Sequence, residues 1–453
     1  MYRSVTFPFD AASPEEGLHF DLSPRGHINS AKYSLLEVLN DQRLGRSSLD
    51  DRLDIMGSYL EDLRAINHYM FRRLGGTGCL PLVQILDGPE RKPRQMINLA
   101  SNDYLNLSQH PRVKEAAVHA VEKYGLGSGS APMLSGTTDL HRQLEERVAA
   151  FKGKEDAMLF ASGYAANIGT LRALLHLDDA AICDMYAHAS LMDGCTHASK
   201  YYFKHNDVDS LEMALKKAAG HRNKLVILDG VYSMDGDIAR LDEIVEMAHR
   251  YGAWVVVDEA HADGVIGPNG RGTTEHFGMR CPVDIITGTF SKGIGSVGGY
   301  VAGSRRLIQY LQVACRSYMF ASSAALPTVA GVLAALDVIE EDRTLQRRVL
   351  DHADYFRQQA RDMGFECGES ATPIIPLIVG DDSKVKEMAW QLHQSGILVN
   401  PVPYPAVPKR LTRIRVSLTA GLSRAQLDQC LSEIERVGLE MGVLRRQGLR
   451  KSA

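Results

Sequence analysis

The sequence predicts an α/β protein: a large domain on a mainly parallel sheet, then a smaller α+β domain at the C-terminal end. Uniformly apolar runs are the first sign. KLVILDG at 224–230, AWVVVDE at 253–259 and VDIITGT at 283–289 carry no alternating polar face, the mark of strands buried on both sides. Amphipathic helical patterns separate such runs, among them VKEAAVHAVEKY, LHRQLEERVAAF and LDEIVEMAHRYG. A strand–helix–strand alternation of this kind builds parallel crossovers. The rhythm then changes near 345–370.

Taken in order, residues 1–94 form an N-terminal extension. Its first 47 residues are irregular, with Pro8, Pro14 and Pro24. Apolar residues at helical spacing (Leu53, Met56, Leu60, Leu63, Ile66, Met70) predict a helix over 48–73, ended by Gly75-Gly76. QMINLA at 95–100 predicts a short strand opening the large domain, which runs to 345. Residues 346–453 form the small domain, with a strand in IIPLIVG, a helix in SKVKEMAWQLHQSG, a proline-rich loop, a strand in LTRIRVSLT and a last helix from Ser423.

Apolar residues make up 45% and charged residues 23%, ordinary for a soluble globular protein, and the formal net charge of -4 speaks against nucleic acid as a partner. No apolar run is long enough for a membrane span, and the N-terminus lacks the apolar core of a secretory signal. The seven cysteines form no C-x-x-C pair, so reduced thiols in a cytoplasmic chain are expected and no metal site.

Open parallel sheets place their chemistry at the carboxyl ends of strands. Asp258 ends AWVVVDE and His261 follows three residues on. A buried carboxylate needs a partner, either a structural one or a cationic ring nitrogen. Lys292 follows VDIITGT, flanked by Thr289 and Ser291. Hydroxyls, free backbone N–H groups and a lysine near a strand-end carboxylate suit pyridoxal 5'-phosphate, with Lys292 as its Schiff-base amine and Asp258 against its pyridinium nitrogen. Gly293, Gly295 and Gly298 also spell G-x-G-x-x-G, but a strand-like run follows them rather than a helix. No acidic residue lies between Gly299 and Phe320, so a nicotinamide-linked oxidoreductase is disfavoured. The glycines instead leave Lys292 room to move and turn the chain back into a strand.

Ser162 and Gly163, in FASGYAANIGT, open a helix whose N-terminus offers N–H groups to a phosphate, although a plain N-cap fits the same residues. His188, in DMYAHASLMDG, is placed to stack on a pyridine ring or is simply structural. Arg415, within the apolar strand RIRVSLT, is either an edge cation or a fork for a substrate carboxylate.

These segments, together with SNDYLNLSQHP, GSGSAPMLSGTTDLHRQLE, HNDVDSLE, GVYSMDGDIARL and VDEAHADGVIGPNGRG, resemble in their order the α-oxoamine synthase family of fold-type I pyridoxal phosphate enzymes over about residues 95–425. GTFSKGIGSVGGY, ACRSYMFASSAALP and GILVNPVPYPAVP are most similar to the serine palmitoyltransferase branch, and SNDYLNLS to the 8-amino-7-oxononanoate synthase branch. The resemblance implies that Lys292 carries the cofactor and acts as general base, that Asp258 pairs with the ring nitrogen, and that His261 bonds the ring hydroxyl while His188 stacks on the ring. It implies that Ser162, Gly163, Tyr164 and Thr289 cradle the cofactor or its phosphate, with Ser233 near the ring. It implies further that Asn102 and Arg415 hold an amino-acid carboxylate, and that Ser322 reaches the phosphate of a partner subunit in a homodimer with its site at the interface. The implied reaction joins serine, alanine or glycine to an acyl thioester of coenzyme A or an acyl carrier protein, with loss of CO₂. An aminotransferase or lyase of the same fold, and a non-catalytic partner subunit, remain as alternatives. The chain departs from the family at Ser130-Ala131-Pro132-Met133, where an arginine is usual, and at Gly293, where serine palmitoyltransferases often carry serine.

Overall fold

The computed structural model describes residues 30, 34–39, 44, 46–87, 90–278 and 283–445. Thirteen strands are named here in chain order. β1 (Leu82–Asp87) and β2 (Lys92–Asn98) are followed by β3 (Asp156–Phe160), β4 (Ala180–Asp184), β5 (Ser199–Phe203), β6 (Lys224–Asp229) and β7 (Trp254–Asp258). After them come β8 (Ile285–Thr289), β9 (Gly299–Gly303), β10 (Ile374–Ile378), β11 (Ile397–Leu398), β12 (Asn400–Val402) and β13 (Arg413–Ser417).

The central sheet has seven strands in the order β3-β9-β8-β7-β6-β4-β5. All neighbours are parallel except at β9, which runs antiparallel to both β3 and β8. The apolar runs are buried on both faces as expected. Val226, Leu228, Val255, Val257 and Ile286 point into one core, and Leu225, Ile227, Val256 and Ile285 into the other. Parallel pairing brings Asp184, Asp229, Asp258 and Thr289, the last residues of β4, β6, β7 and β8, to one edge of the sheet.

The C-terminal segment builds a second, antiparallel sheet, β10-β13-β12, and a core in which Phe356, Leu377, Leu392, Ile414 and Ile434 pack. Ile97 and Leu99 share this core, because β2 pairs with β11. β2 begins at Lys92 rather than 95, since it completes a hairpin with β1. The last helix, Arg424–Glu440, starts after Ser423, which closes a capping box with Gln426.

The helix expected over 48–73 spans Leu49–Ala65. Ser48 caps it with Asp51, and Asn67 stops it well before Gly75. Asn67 adopts φ 62°, and the amides of Asn67 and His68 return to Arg64 O and Leu63 O at 3.1 and 2.8 Å. That is a left-handed helix stop with asparagine in place of glycine. Among the described residues no helix is long and apolar enough to cross a membrane.

Candidate active site

A cavity of about 240 Å³ opens at the sheet edge between β6, β7, β8 and the helix Gly163–Leu174. Lys292, Asp258, His188, His261, Ser162, Gly163, Tyr164 and Thr289 all line it, so the structure brings together eight residues named from the sequence. Ser291, the hydroxyl noted beside Lys292, lines it too, as do Asn167, Ser190 and Asp229, which the sequence did not single out.

Asp258 is buried at the end of β7. Its Oδ2 accepts from Asn167 Nδ2 at 2.7 Å and its Oδ1 from the backbone N–H of Ala260 at 2.9 Å. One bond per oxygen fixes the carboxylate and leaves lone pairs for a cationic partner in the cavity. Asp229 lies directly beside it in the β6–β7 register and accepts from the backbone N–H of His188 at 2.8 Å. Burial, and then the neighbouring Asp258, push the Asp229 carboxyl far above the usual carboxylate range. Of the two neighbours, Asp229 is thus the one biased toward its protonated form. Asp229 obeys the same strand-end rule that exposes Asp258 in the sequence. Asn167 sits inside an apolar helix and is joined to Asp258 only by tertiary packing.

Lys292 follows β8 in a turn that leads into β9. Its Nζ is 2.8 Å from Nε2 of His261, whose Nδ1 is 2.7 Å from the hydroxyl of Tyr104. Burial lowers the Lys292 amine to about 8, and Arg415 adds to this, while Asp258 and Asp229 oppose it. Burial, with Lys292 next, holds His261 well below its ordinary range, so it is a neutral imidazole here. His188 is likewise lowered by burial. Its Nδ1 meets Ser190 Oγ at 2.8 Å, which sets the ring against the cavity wall.

Opposite the lysine, Ser162 caps the helix Gly163–Leu174, accepting from Ala165 N at 3.1 Å. The amides of the first turn have no intrahelical acceptor and face the cavity's hydroxyl groups. Thr289 Oγ1 and Ser291 Oγ lie 2.9 Å apart beside them. Gly163 is required sterically, because an added Cβ would stand 2.9 Å from Thr289 Cβ.

The glycines after Lys292 serve mainly close packing. A Cβ on Gly293 would come within 2.1 Å of Asp263 O, and one on Gly295 (φ +71°) within 2.4 Å of Ser108 N. The lysine turn is thus wedged between two backbone segments, while Gly298 (φ +119°) reverses the chain into β9. The return to a strand agrees with the sequence reading, and the wedge replaces freedom of movement as the glycines' main role.

Arg415 and Asn102 lie outside the cavity lining but meet each other, Nη1 to Oδ1, at 3.2 Å. Arg415 is buried on β13, and its Nε donates to the Ser233 backbone carbonyl at 2.5 Å. Ser233, expected near the ring, is not among the residues that line the cavity, and its carbonyl holds Arg415 instead. Tyr104 joins this pair to the cavity, since its hydroxyl reaches Asn102 Oδ1 at 3.5 Å as well as His261. Ser322 is exposed and does not line the cavity of its own chain. Among the described residues no cluster of His, Cys, Asp or Glu is placed to hold a metal, and six cysteines are free thiols.

The donor set fits pyridoxal 5'-phosphate. An amine, a strand-end carboxylate, an imidazole wall and a helix N-terminus with hydroxyls beside it line one cavity, and the buried Oδ1 of Asn167 has no partner of its own.

Similarity to known proteins agrees with this geometry. The aminotransferase class I and II family pattern matches residues 94–434. An 8-amino-7-oxononanoate synthase from Thermoanaerobacter pseudethanolicus is 40% identical over 401 residues, covering 88% of this chain and all of that one. A serine palmitoyltransferase from S. paucimobilis, solved with a bound PLP–myriocin adduct, superimposes with a TM-score of 0.83 at 31% identity, covering 88% of this chain and 100% of that one. The 8-amino-7-oxononanoate synthase of Francisella tularensis gives a TM-score of 0.66 at 26% identity over 75% of this chain and 97% of that one. The chain belongs to the aminotransferase class I and II family, within its α-oxoamine synthases, and is a fold-type I, pyridoxal 5'-phosphate-dependent acyltransferase.

Proposed function

We propose that the protein condenses a small L-amino acid (serine, alanine or glycine) with an acyl thioester of coenzyme A or an acyl carrier protein, releasing CO₂ and free thiol and leaving an α-amino ketone. The observation that carries this reading is the placement of the Lys292 amine between the neutral His261 and the strand-end pair Asp258/Asp229, beside the Arg415–Asn102 couple. The 40% identical relative carries a synthase name, and the structural neighbours at 31% identity are serine palmitoyltransferases, which supports an acyl acceptor of this class.

When bound, the cofactor supplies an electron sink for the bonds broken at the amino acid's Cα. Lys292 Nζ is the amine that would hold it covalently and, once released, take the Cα proton. A value near 8 keeps a useful fraction of that amine unprotonated at neutral pH. Asp258 would hold the proton of the pyridine nitrogen. His261, kept neutral and oriented by Tyr104, would donate to the ring hydroxyl, and His188 would cover one ring face. Ser162, Gly163, Tyr164 and Thr289 would receive the phosphate. Arg415 and Asn102 would grip the amino-acid carboxylate, fixing which Cα bond faces Lys292.

A homodimer fits Ser322, which is exposed in the single chain and stands near exposed apolar side chains such as Phe320 (74%) and Leu134 (82%). Among the described residues no helix is long and apolar enough to cross a membrane, and a cytoplasmic location is proposed from the seven dispersed cysteines, which form no C-x-x-C pair.

The test is incubation of the purified chain with each amino acid and a panel of acyl thioesters. Release of thiol and CO₂ together, and borohydride labelling of Lys292 seen by peptide mass, are expected. Amino-group transfer to a keto acid without CO₂ would identify an aminotransferase instead. Inactivity of the chain alone, with activity restored by a second subunit, would identify a partner subunit.

A further inference from the structure

The run His205-Asn206-Asp207, within HNDVDSLE, takes no part in the cavity, yet it holds a histidine clamped at both ring nitrogens. Nδ1 of His205 lies 3.3 Å from Asp184 Oδ1, and Nε2 lies 2.9 Å from Asp237 Oδ2. Both carboxylates are buried. Ionised carboxylates only accept, so both ring nitrogens must donate and the ring is an imidazolium. Tyr186 stacks on it at 4.4 Å and Tyr232 meets it edge-on at 4.3 Å. Burial alone would lower its pKa, but the bonds to Asp184 and Asp237 overcome this and raise it to about 10.

The clamp has a direction. Asp184 ends β4 in the large domain and also accepts from the Tyr232 hydroxyl at 2.9 Å and the Tyr186 amide at 2.7 Å. Asp237 closes the turn 231–238, where Tyr232 N bonds Asp237 O at 3.1 Å and Gly236 N bonds Tyr232 O at 2.8 Å. Asn206, at φ 53°, braces the same carboxylate through Nδ2 at 2.8 Å. The tip of this turn then meets β13. The Ser233 carbonyl takes Arg415 Nε, while the Met234 carbonyl (3.0 Å) and Asp235 Oδ1 (2.6 Å) take Arg413 Nη1. The turn fits too tightly to slide, since a Cβ on Gly236 would reach 2.1 Å from Ile374 O.

We propose that His205 is a positioning residue for amino-acid recognition: held between Asp184 and Asp237, it fixes the turn whose Ser233 carbonyl aims the Arg415 guanidinium at Asn102 and the substrate carboxylate. The inference rests on Arg415 acting as the carboxylate fork. Without the imidazolium, two buried carboxylates face each other across an unfilled gap, the base of the turn loosens, and the guanidinium loses one of its fixed bonds. The cavity residues touch none of His205 itself, so cofactor binding and the thioester side are left alone.

The experiment titrates the cofactor-loaded enzyme spectroscopically with glycine, L-alanine and L-serine. It sets these against methylamine, ethylamine and ethanolamine, the same molecules without a carboxylate. His205→Gln is expected to weaken the amino acids about 10-fold, the scale of a misaligned charge-assisted bond, and to leave the amines within about 2-fold. KM for the amino acid rises while KM for the thioester and the cofactor content stay unchanged. Equal weakening of acids and amines, or a fall in melting temperature with unchanged discrimination, overturns the proposal and leaves His205 as a structural brace. Arg415→Lys is run in parallel. If it loses discrimination and His205→Gln does not, the positioning role fails and the fork stands. If Arg415→Lys keeps discrimination, the fork itself fails, and the proposal with it. Asp237→Asn, which keeps the turn's side chain and removes one charge of the clamp, gives the same readout if His205→Gln does not fold, and unchanged discrimination there also overturns the proposal.

Discussion

Replacing Lys292 by methionine should stabilise the cofactor-free protein while abolishing its chemistry. The amine is lowered from its ordinary 10.5 to about 8, first by burial and then by Arg415, and the neighbouring Asp258, with a smaller contribution from Asp229, only partly offsets this. At about 1.36 kcal/mol per pH unit, that interval corresponds to about 3 kcal/mol of destabilisation at pH 7. Methionine matches the length of lysine and leaves no charge, but it strands Nε2 of His261, 2.8 Å away, at a cost of about 1 kcal/mol. The net expected gain is about 2 kcal/mol. The pH dependence follows from the direction of the shift. Below pH 8 the lysine is charged in the folded and unfolded chains alike, and the burial penalty is complete. Between 8 and 10.5 the folded chain releases its proton first and the penalty fades. The advantage of Lys292→Met should therefore shrink between pH 8 and pH 10. Urea unfolding of cofactor-free parent and variant at both pH values measures it, with Trp254, at the head of the Asp258 strand, as a fluorescent reporter. A variant less stable than the parent at pH 7, or a difference unchanged at pH 10, would refute the reasoning that the amine is held in a costly state for function.

Asp258→Asn should keep the cofactor but lower kcat by about 100-fold or more, the scale of losing a preorganised charge partner. Near-normal turnover would remove Asp258 from the ring-nitrogen role. Gly295→Ala should lose both folded yield and activity, because its φ is +71° and the new Cβ would lie 2.4 Å from Ser108 N. Gly153→Ala is the control, with φ +63° and nothing within 4 Å, and should cost only about 1 kcal/mol. Comparable melting temperatures for the two variants would undo the wedge argument. For His205, whose pKa is raised from 6.5 to about 10, the stabilisation is complete below pH 6.5 and is lost as pH rises through 10. The melting-temperature gap between parent and His205→Gln should thus narrow from pH 6 to pH 10, and a constant gap would argue against a charged clamp.

Much of this molecule was readable from local chemistry. A run such as KLVILDG can satisfy its neighbours only inside a two-sided sheet, and the residue that ends such a run must face the sheet's open edge. That rule reached Asp258 and Lys292, and it applies equally to Asp184 and Asp229, which share the position. The order of the short motifs carried the family. The helix over 49–65 was readable in type but not in length, because Asn67 adopts a glycine-like conformation that its side chain does not announce.

Tertiary structure alone decided which of these groups act on one another. Asn167 belongs to an apolar helix and Tyr104 to a distant loop, and neither has a periodicity that points to Asp258 or His261. The upward push on the Asp229 carboxyl comes from burial and from Asp258 one strand away, quantities that do not exist along the chain. The same holds for Arg415. Its carrier strand is legible, but its aim is set by a carbonyl 182 residues earlier, held in turn by His205. Residue types and strand ends are local properties, whereas pKa values, hydrogen-bond partners and steric room arise only when distant segments are packed together.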